Sequence, residues 1–287
     1  MKELYDKRIL AIIPARLESS RLPHKPLKLI AEKTLVQRVW ECACSASMIS
    51  QVYVATDSKI IEEEVKKFGG KAVLTDEDLS SGSQRVLQAA QRISLSCEHK
   101  PSNISLDSED AMDSIKRNWD LVINIQGDMP FLPGCVIDNT IAFHLQNFDK
   151  FSITTIATPI ESKDEFYSPH TVKVVKSESN MALYFSRASV PFLRDNCDPP
   201  IWTTKNGHRV YGFQHVGLYL FQPNALKVFA SKEVSALEQI EKLEQLRAME
   251  RGERVGVFIV EDQDREVFQE VNVPDDLVKA CSVALNR

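Results

Sequence analysis

The chain has 287 residues, 43% hydrophobic and 26% charged, and its 35 basic against 40 acidic side chains give a formal net charge of -5. This is the composition of an ordinary soluble globular protein, long enough to bury a sizeable core, and its acidic balance argues against a protein that coats nucleic acid. A charged N-terminus unlike a signal peptide, no apolar run near the ~20 residues of a membrane span, and six scattered cysteines without a C-x-x-C pair predict a cytoplasmic chain with reduced thiols.

The first apolar run, Ile9 to Ile13, reads as a buried parallel strand. It ends in a loop carrying Arg16, Arg21 and Lys25, which puts positive charge at the carboxyl edge of a sheet, where open α/β folds bind ligands. The loop contains no glycine and matches neither common phosphate-binding pattern. Phosphates would instead meet backbone N–H groups around Ala15 to Ser20, together with the Arg16 fork and the Lys25 point charge. Pro23 and Pro26 restrict the turn that aims Lys25. On residue type alone, a solvated basic surface loop reads equally well.

Amphipathic spacing predicts a helix over 35–48, a strand over 51–56, a helix over 59–68 with Asp57-Ser58 as its N-cap, and a strand over 71–74. That alternation means right-handed βαβ units and a parallel sheet. Ser81, Gly82 and Arg85 lie where a loop enters a helix over 86–93, suited either to capping or to contact with a polar or anionic group. The polar stretch 94–118 shows little periodicity and predicts a surface excursion, in part disordered, without assigned function.

A buried strand over 120–125 delivers Gln126-Gly127-Asp128 to the same edge. Asp128 there suits a Mg²⁺ shared with phosphate oxygens, or else the N-cap of a helix from about Pro133. Beyond a strand over 152–159, the pair 171–176 and 182–185 predicts an antiparallel hairpin, in a smaller inserted subregion over about 155–220. His215 and Tyr219 alternate with Val216 and Leu218 and so share one side of a strand. Ser235 and Glu238 form a capping box for one helix over 235–250, with Leu237, Ile240, Leu243, Leu246 and Met249 as its buried stripe. A last strand over 254–260 and a helix after Pro274 close a single α/β domain.

The strings Pro14-Ala15-Arg16, Ser20-Arg21-Leu22-Pro23 and Lys25-Pro26-Leu27 together resemble the signature loop of the sugar-activating cytidylyltransferases, most of all the CMP-Kdo synthetases. The likeness continues through Val54-Ala55-Thr56-Asp57, Ser81-Gly82-Ser83-Gln84-Arg85, Ile125-Gln126-Gly127-Asp128, Ala182 to Arg187, His215 to Tyr219 and Leu243 to Arg247. It implies a Rossmann-like nucleotidyltransferase fold, a mostly parallel doubly wound sheet with an inserted antiparallel dimerisation subregion, in a homodimer. The implied reaction is attack of the anomeric hydroxyl of an acidic 3-deoxy sugar on the α-phosphate of CTP, with Mg²⁺ as cofactor. Arg16, Lys25 and Asp128 are then the catalytic candidates, and Pro14, Ala15, Ser20, Arg21, Ser81, Gly82, Arg85 and Gln126 line the nucleotide. Gln126, Arg187, His215, Tyr219, Glu244 and Gln245 face the sugar, with Arg187 on its carboxylate. Asp128 and Asn272 are the metal ligands.

Three residues depart from the family pattern: His24 replaces a glycine, Met129 a glutamate, and Asn272 the aspartate that is the second carboxylate on the metal. An amide oxygen still ligates a hard cation but brings no charge, so Asp275 or the triphosphate would have to compensate. These departures also fit a diverged homologue that binds nucleotide or sugar and catalyses poorly, or a cytidylyltransferase for a different acidic sugar.

Overall fold

The computed structural model describes residues 7–19, 21–100, 104–194, 202–204, 207–261 and 265–285. Strand β1 (Ile9–Ala15) is buried along almost its whole length, and its two faces feed two cores. Ile9, Ala11 and Ile13 pack on one side, Leu10 and Ile12 on the other. A strand covered by helices on both faces must be apolar at every position, which is why this one reads as a continuous hydrophobic run.

The short pair β2 (Leu29–Ile30) and β3 (Lys33–Thr34) leads into α1 (Leu35–Cys44), capped by the Thr34 hydroxyl. Next come β4 (Gln51–Thr56), α2 (Lys59–Lys67), β5 (Lys71–Leu74), α3 (Gly82–Cys97), α4 (Glu109–Asn118), β6 (Leu121–Ile125) and α5 (Gly134–Gln146). Among the described residues the main sheet has nine strands. β1 lies between β4 and β6, parallel to both, and β5 lies outside β4. The chain thus runs outward from β1 through β4 to β5, then returns to β6 on the opposite flank. The crevice beyond β1 and β6 is therefore the switch point of the sheet, where α/β folds place ligands.

β7 (Ile153–Ile160), α6 (Lys163–Tyr167), β8 (Lys173–Lys176), β9 (Ala182–Ser186), β10 (Trp202–Thr203), β11 (Arg209–Val210) and β12 (Gly212–Phe221) follow. β8 and β9 form the expected antiparallel hairpin, joined to the sheet through β12. β12 runs antiparallel between β6 and β7. The two ends of the 155–220 subregion are thus strands of the main sheet, and the excursion proper lies between them. α7 (Pro223–Phe229), α8 (Ala236–Glu241), α9 (Gln245–Glu250), β13 (Val255–Ile259), parallel to β7, and α10 (Pro274–Leu285) complete the chain.

Two expectations are corrected. The 94–118 stretch is largely helical where described: α3 runs on to Cys97, and α4 starts on Ser108, whose Oγ accepts the Ala111 N–H at 3.3 Å. Ala111, Met112 and Ile115 form its buried side, and Trp119 donates to the Ser94 hydroxyl at 3.1 Å. Their short i, i+1, i+4 pattern is easily lost among charged neighbours. The single helix over 235–250 is broken, because Lys242 adopts left-handed φ 55° between α8 and α9. The break lets buried Arg247 grip Glu238 with two hydrogen bonds, of 2.7 and 2.6 Å. In an unbroken helix these residues would stand about 13 Å apart along the axis. Ile240 consequently leaves the expected stripe and is 77% exposed.

Candidate active site

At the carboxyl edge, β1 and β6 must come together closely. A Cβ on Gly127 would lie 2.6 Å from the Pro14 carbonyl oxygen, so only glycine allows this approach. The result is a cleft of about 290 Å³ lined by Pro14, Ala15, Arg16, Arg21 and Lys25 on one wall and by Gly82, Arg85, Gln126 and Asp128 on the others. Ser20 lies outside the described residues. A larger open cavity of about 960 Å³, flanked by Asp57, Lys59 and Asp76, adjoins it and shares Arg16 and Glu18.

Lys25 begins a short 3-10 turn, Lys25–Leu27, whose entry residue His24 takes left-handed φ 54°. That conformation explains a family preference for glycine at this position. The turn aims Lys25 Nζ at Asp128 Oδ2, 2.9 Å away, and at Asn272 Oδ1, 3.0 Å away. Asp128 is not a helix cap, since Pro133 precedes α5. Arg16 donates to the Leu79 carbonyl at 3.0 Å from the edge between the two cavities.

Arg85 is nearly inaccessible, 1% exposed, and its guanidinium is engaged. Nη2 donates to Asp57 Oδ2 at 2.8 Å and Nη1 to the Thr75 hydroxyl and the Asp76 carbonyl. Burial pulls its proton affinity down while Asp57 pulls it back up. Asp57, expected as a helix cap, leaves that role to Ser58, whose Oγ accepts the Ile60 N–H. It is instead the counterion of Arg85 and also accepts the Leu17 N–H at 3.4 Å.

A second wall stands behind Gln126, whose side chain lies over Gly217 of β12. His215 and Tyr219 do share one side of that strand, with ring centroids 5.4 Å apart. His215 Nε2 meets the Thr155 hydroxyl at 2.9 Å, and burial drives its pKa down to about 3, so the ring is neutral. The Tyr219 hydroxyl donates to Gln245 Oε1 at 3.2 Å, leaving Gln245 Nε2 buried without a partner among the described residues. An orphaned buried donor of this kind favours a ligand acceptor. Glu244 accepts from the Ser83 hydroxyl, and burial raises its pKa. Arg187 does not line the cleft. Its Nε donates to the Glu241 carbonyl at 2.9 Å and its Nη1 to the Pro169 carbonyl at 3.1 Å.

A family model described as cytidylyltransferase matches residues 10–255. The chain belongs to the cytidylyltransferase family. An 8-amino-3,8-dideoxy-manno-octulosonate cytidylyltransferase of Shewanella pealeana is 35% identical, over 96% of this chain and 97% of that protein. The 3-deoxy-manno-octulosonate cytidylyltransferase 2 of Actinobacillus pleuropneumoniae is 37% identical, over 86% and 88%. A solved CMP:2-keto-3-deoxy-manno-octonic acid synthetase complexed with CTP superposes with a TM-score of 0.77 at 31% identity, covering 97% of this chain and 99% of that one. A cytidylyltransferase from Leptospira borgpetersenii, 15% identical with a TM-score of 0.54, shares the fold alone.

For a cytidylyltransferase, and so a nucleotidyltransferase, the metal question is one of donor chemistry. Asp128 and Asn272 offer hard oxygens that converge on one cationic nitrogen, a donor set that fits Mg²⁺. Among the described residues no group of three or more acidic, histidine or cysteine side chains could hold a metal alone, so phosphate oxygens and water would complete the shell. Asp275 is exposed, while Asp276 holds the Asn272 and Val273 N–H groups at 2.8 and 3.0 Å. The cytidylyltransferase motif strings led to Pro14 through Lys25, Gln126 and Asp128. They did not expose Asp57 as a counterion, although it closes one of those strings, and nothing in them marked Glu270.

Proposed function

We propose that the chain transfers CMP from CTP to the anomeric hydroxyl of 3-deoxy-manno-octulosonate or a close relative such as its 8-amino form, releasing pyrophosphate. The observation that carries this reading is that Arg16 and Lys25 of the β1 loop and Asp128 after β6 line one cleft at the switch point of the sheet. The names of the two relatives supply the sugar class.

The triphosphate lies against the β1 loop, where Arg16 and the backbone N–H groups meet its oxygens and Lys25 turns from Asp128 onto it. Mg²⁺, held by Asp128 and Asn272, would supply charge neutralisation at the phosphates and acidify the attacking hydroxyl. The sugar lies between Gln126 and the Tyr219–Gln245 pair, with Gln245 Nε2 as a donor to one of its oxygens. The anomeric hydroxyl gives up its proton to water, its oxygen bonds to the α-phosphorus as the bond to the bridging oxygen breaks, and pyrophosphate carries away the electron pair. Holding both reactants in line provides much of the acceleration.

The active species is a homodimer in the cytoplasm. Supporting a dimer, the excursion between β7 and β12 exposes Tyr167, Leu183 and Phe192, the last at 85%. No helix among the described residues is long and apolar enough to cross a membrane. Pure protein is incubated with CTP, Mg²⁺ and either sugar while pyrophosphate is counted. Release that depends on one of the two sugars is expected, and release with neither overturns the proposal. The uncharged Asn272 favours a second reading, a poorly catalytic homologue that binds the same ligands. Tight CTP binding without turnover on either sugar would select it.

A further inference from the structure

The weakest feature of the proposed site is its charge: one carboxylate, Asp128, and one amide, Asn272, for a divalent cation on a polyanionic nucleotide. A second carboxylate stands immediately behind the amide. Asn272 Nδ2 donates to Glu270 Oε2 at 2.9 Å while Asn272 Oδ1 accepts from Lys25 Nζ. The amide is therefore held between a cation on its oxygen side and an anion on its nitrogen side, an orientation both partners enforce.

The backbone fixes this segment to the phosphate edge. The Val271 N–H donates to the Asp128 carbonyl at 2.9 Å, and Val271 itself is fully buried. Glu270 and Asp128 are thus the flanks of one short backbone bridge. Their carboxylates repel each other, and Lys25 and Arg21 offset this repulsion. Two anions held together in this way favour a cation between them, and a divalent one more than an ammonium.

We propose that Glu270 is the second carboxylate of the divalent-cation site, replacing the charge that Asn272 lacks. Once Lys25 moves to the triphosphate, Asp128 Oδ2 and Asn272 Oδ1 face the place it leaves, with the Glu270 carboxylate one hydrogen bond further on, against the amide nitrogen. From two residues upstream, the glutamate brings a carboxylate oxygen to 2.9 Å from the amide nitrogen, the atom that a second carboxylate oxygen would replace in an aspartate at position 272. The inference rests on the proposed nucleotide chemistry but not on which sugar is used.

The test is Mn²⁺ binding to the full chain, read from the loss of the free-ion paramagnetic resonance signal for the chain alone and, with CTP, from water-proton relaxation above that of Mn²⁺–CTP without protein. Wild type is compared with Glu270→Gln, which keeps size and hydrogen bonding but removes the charge. Because Glu270 is exposed, the variant is expected to fold, and an unchanged melting curve checks this. We expect Mn²⁺ affinity in the presence of CTP to fall about tenfold or more, and Asn272→Asp in the Glu270→Gln background to recover most of it. Affinity within twofold of wild type overturns the proposal, as does a wild type that binds no Mn²⁺ under either condition. A wild type that holds Mn²⁺ through Glu270 yet releases no pyrophosphate with either sugar would remove the proposed function and leave this site standing.

Discussion

Asp57→Ala tests whether the phosphate-facing edge depends on a buried ion pair. Arg85 is 1% exposed and its partner's side chain 16%, so removing Asp57 leaves a guanidinium in a poorly hydrated place without its counterion. Breaking such a pair from one side costs roughly 3–5 kcal/mol. The low end applies, because Arg85 keeps the Thr75 hydroxyl and the Asp76 carbonyl, and Asp57 itself touches solvent. A loss of about 3 kcal/mol corresponds to a fall in melting temperature of about 5 °C for a chain of this size, measured by calorimetry. Replacing Arg85 by Met in the same background removes the orphaned charge and should return part of the loss. In Asp57→Ala the freed arginine is an added donor for the triphosphate, so CTP should raise the melting temperature more in the variant than in wild type. A fall below about 2 °C would show that the pair behaves as an exposed salt bridge, and the argument for a rigid, committed Arg85 would fail.

Two further perturbations read other parts of the molecule. His144 is wholly buried, held by the Thr154 hydroxyl at 2.8 Å, and burial lowers its pKa to about 4. The unfolded chain therefore takes up this proton first as pH drops through about 6.5, and stability should fall between there and pH 4 by about 3 kcal/mol, His215 acting in the same direction. Melting curves for wild type and His144→Gln, at steps from pH 7.5 to 4.5, should diverge in slope, and parallel lines would refute the assignment. His24→Gly relieves a left-handed backbone that costs about 1 kcal/mol, offset in part by the greater freedom of unfolded glycine. A small gain in urea midpoint is expected, and a loss would mean that the imidazole makes a contact that outweighs the strain.

What was legible in the sequence follows from range. β1 and β6 announce themselves because a strand covered on both faces needs an unbroken apolar run, and the start of α2 because Ser58 caps it within two residues, whereas α3 begins at Gly82, four residues before its expected start. The loop residues that line the cleft were legible through motif strings, which record a shape no local periodicity encodes. The break at Lys242 was hidden because Glu238 and Arg247 look like ordinary helix-surface charges until the chain folds back to join them. Arg85 looked like a ligand for the same reason that it became a strut. An arginine at a helix start serves an anion, and only the tertiary structure decides whether that anion is a phosphate or Asp57.

The three departures from the family pattern separate once their surroundings are known. Met129 is 0% exposed in the core beneath the sheet edge, so it exchanges a charge for packing and offers nothing to a ligand. His24 acts through backbone conformation, and its turn still delivers Lys25 to the other two site residues. Only Asn272 changes the donor set. It keeps an oxygen in place and loses one negative charge, and Glu270 brings one back within hydrogen-bond reach of the same amide. The Val271–Asp128 backbone bond keeps the segment that carries Glu270 beside Asp128, and the Mn²⁺ comparison of wild type with Glu270→Gln decides whether that carboxylate serves a cation.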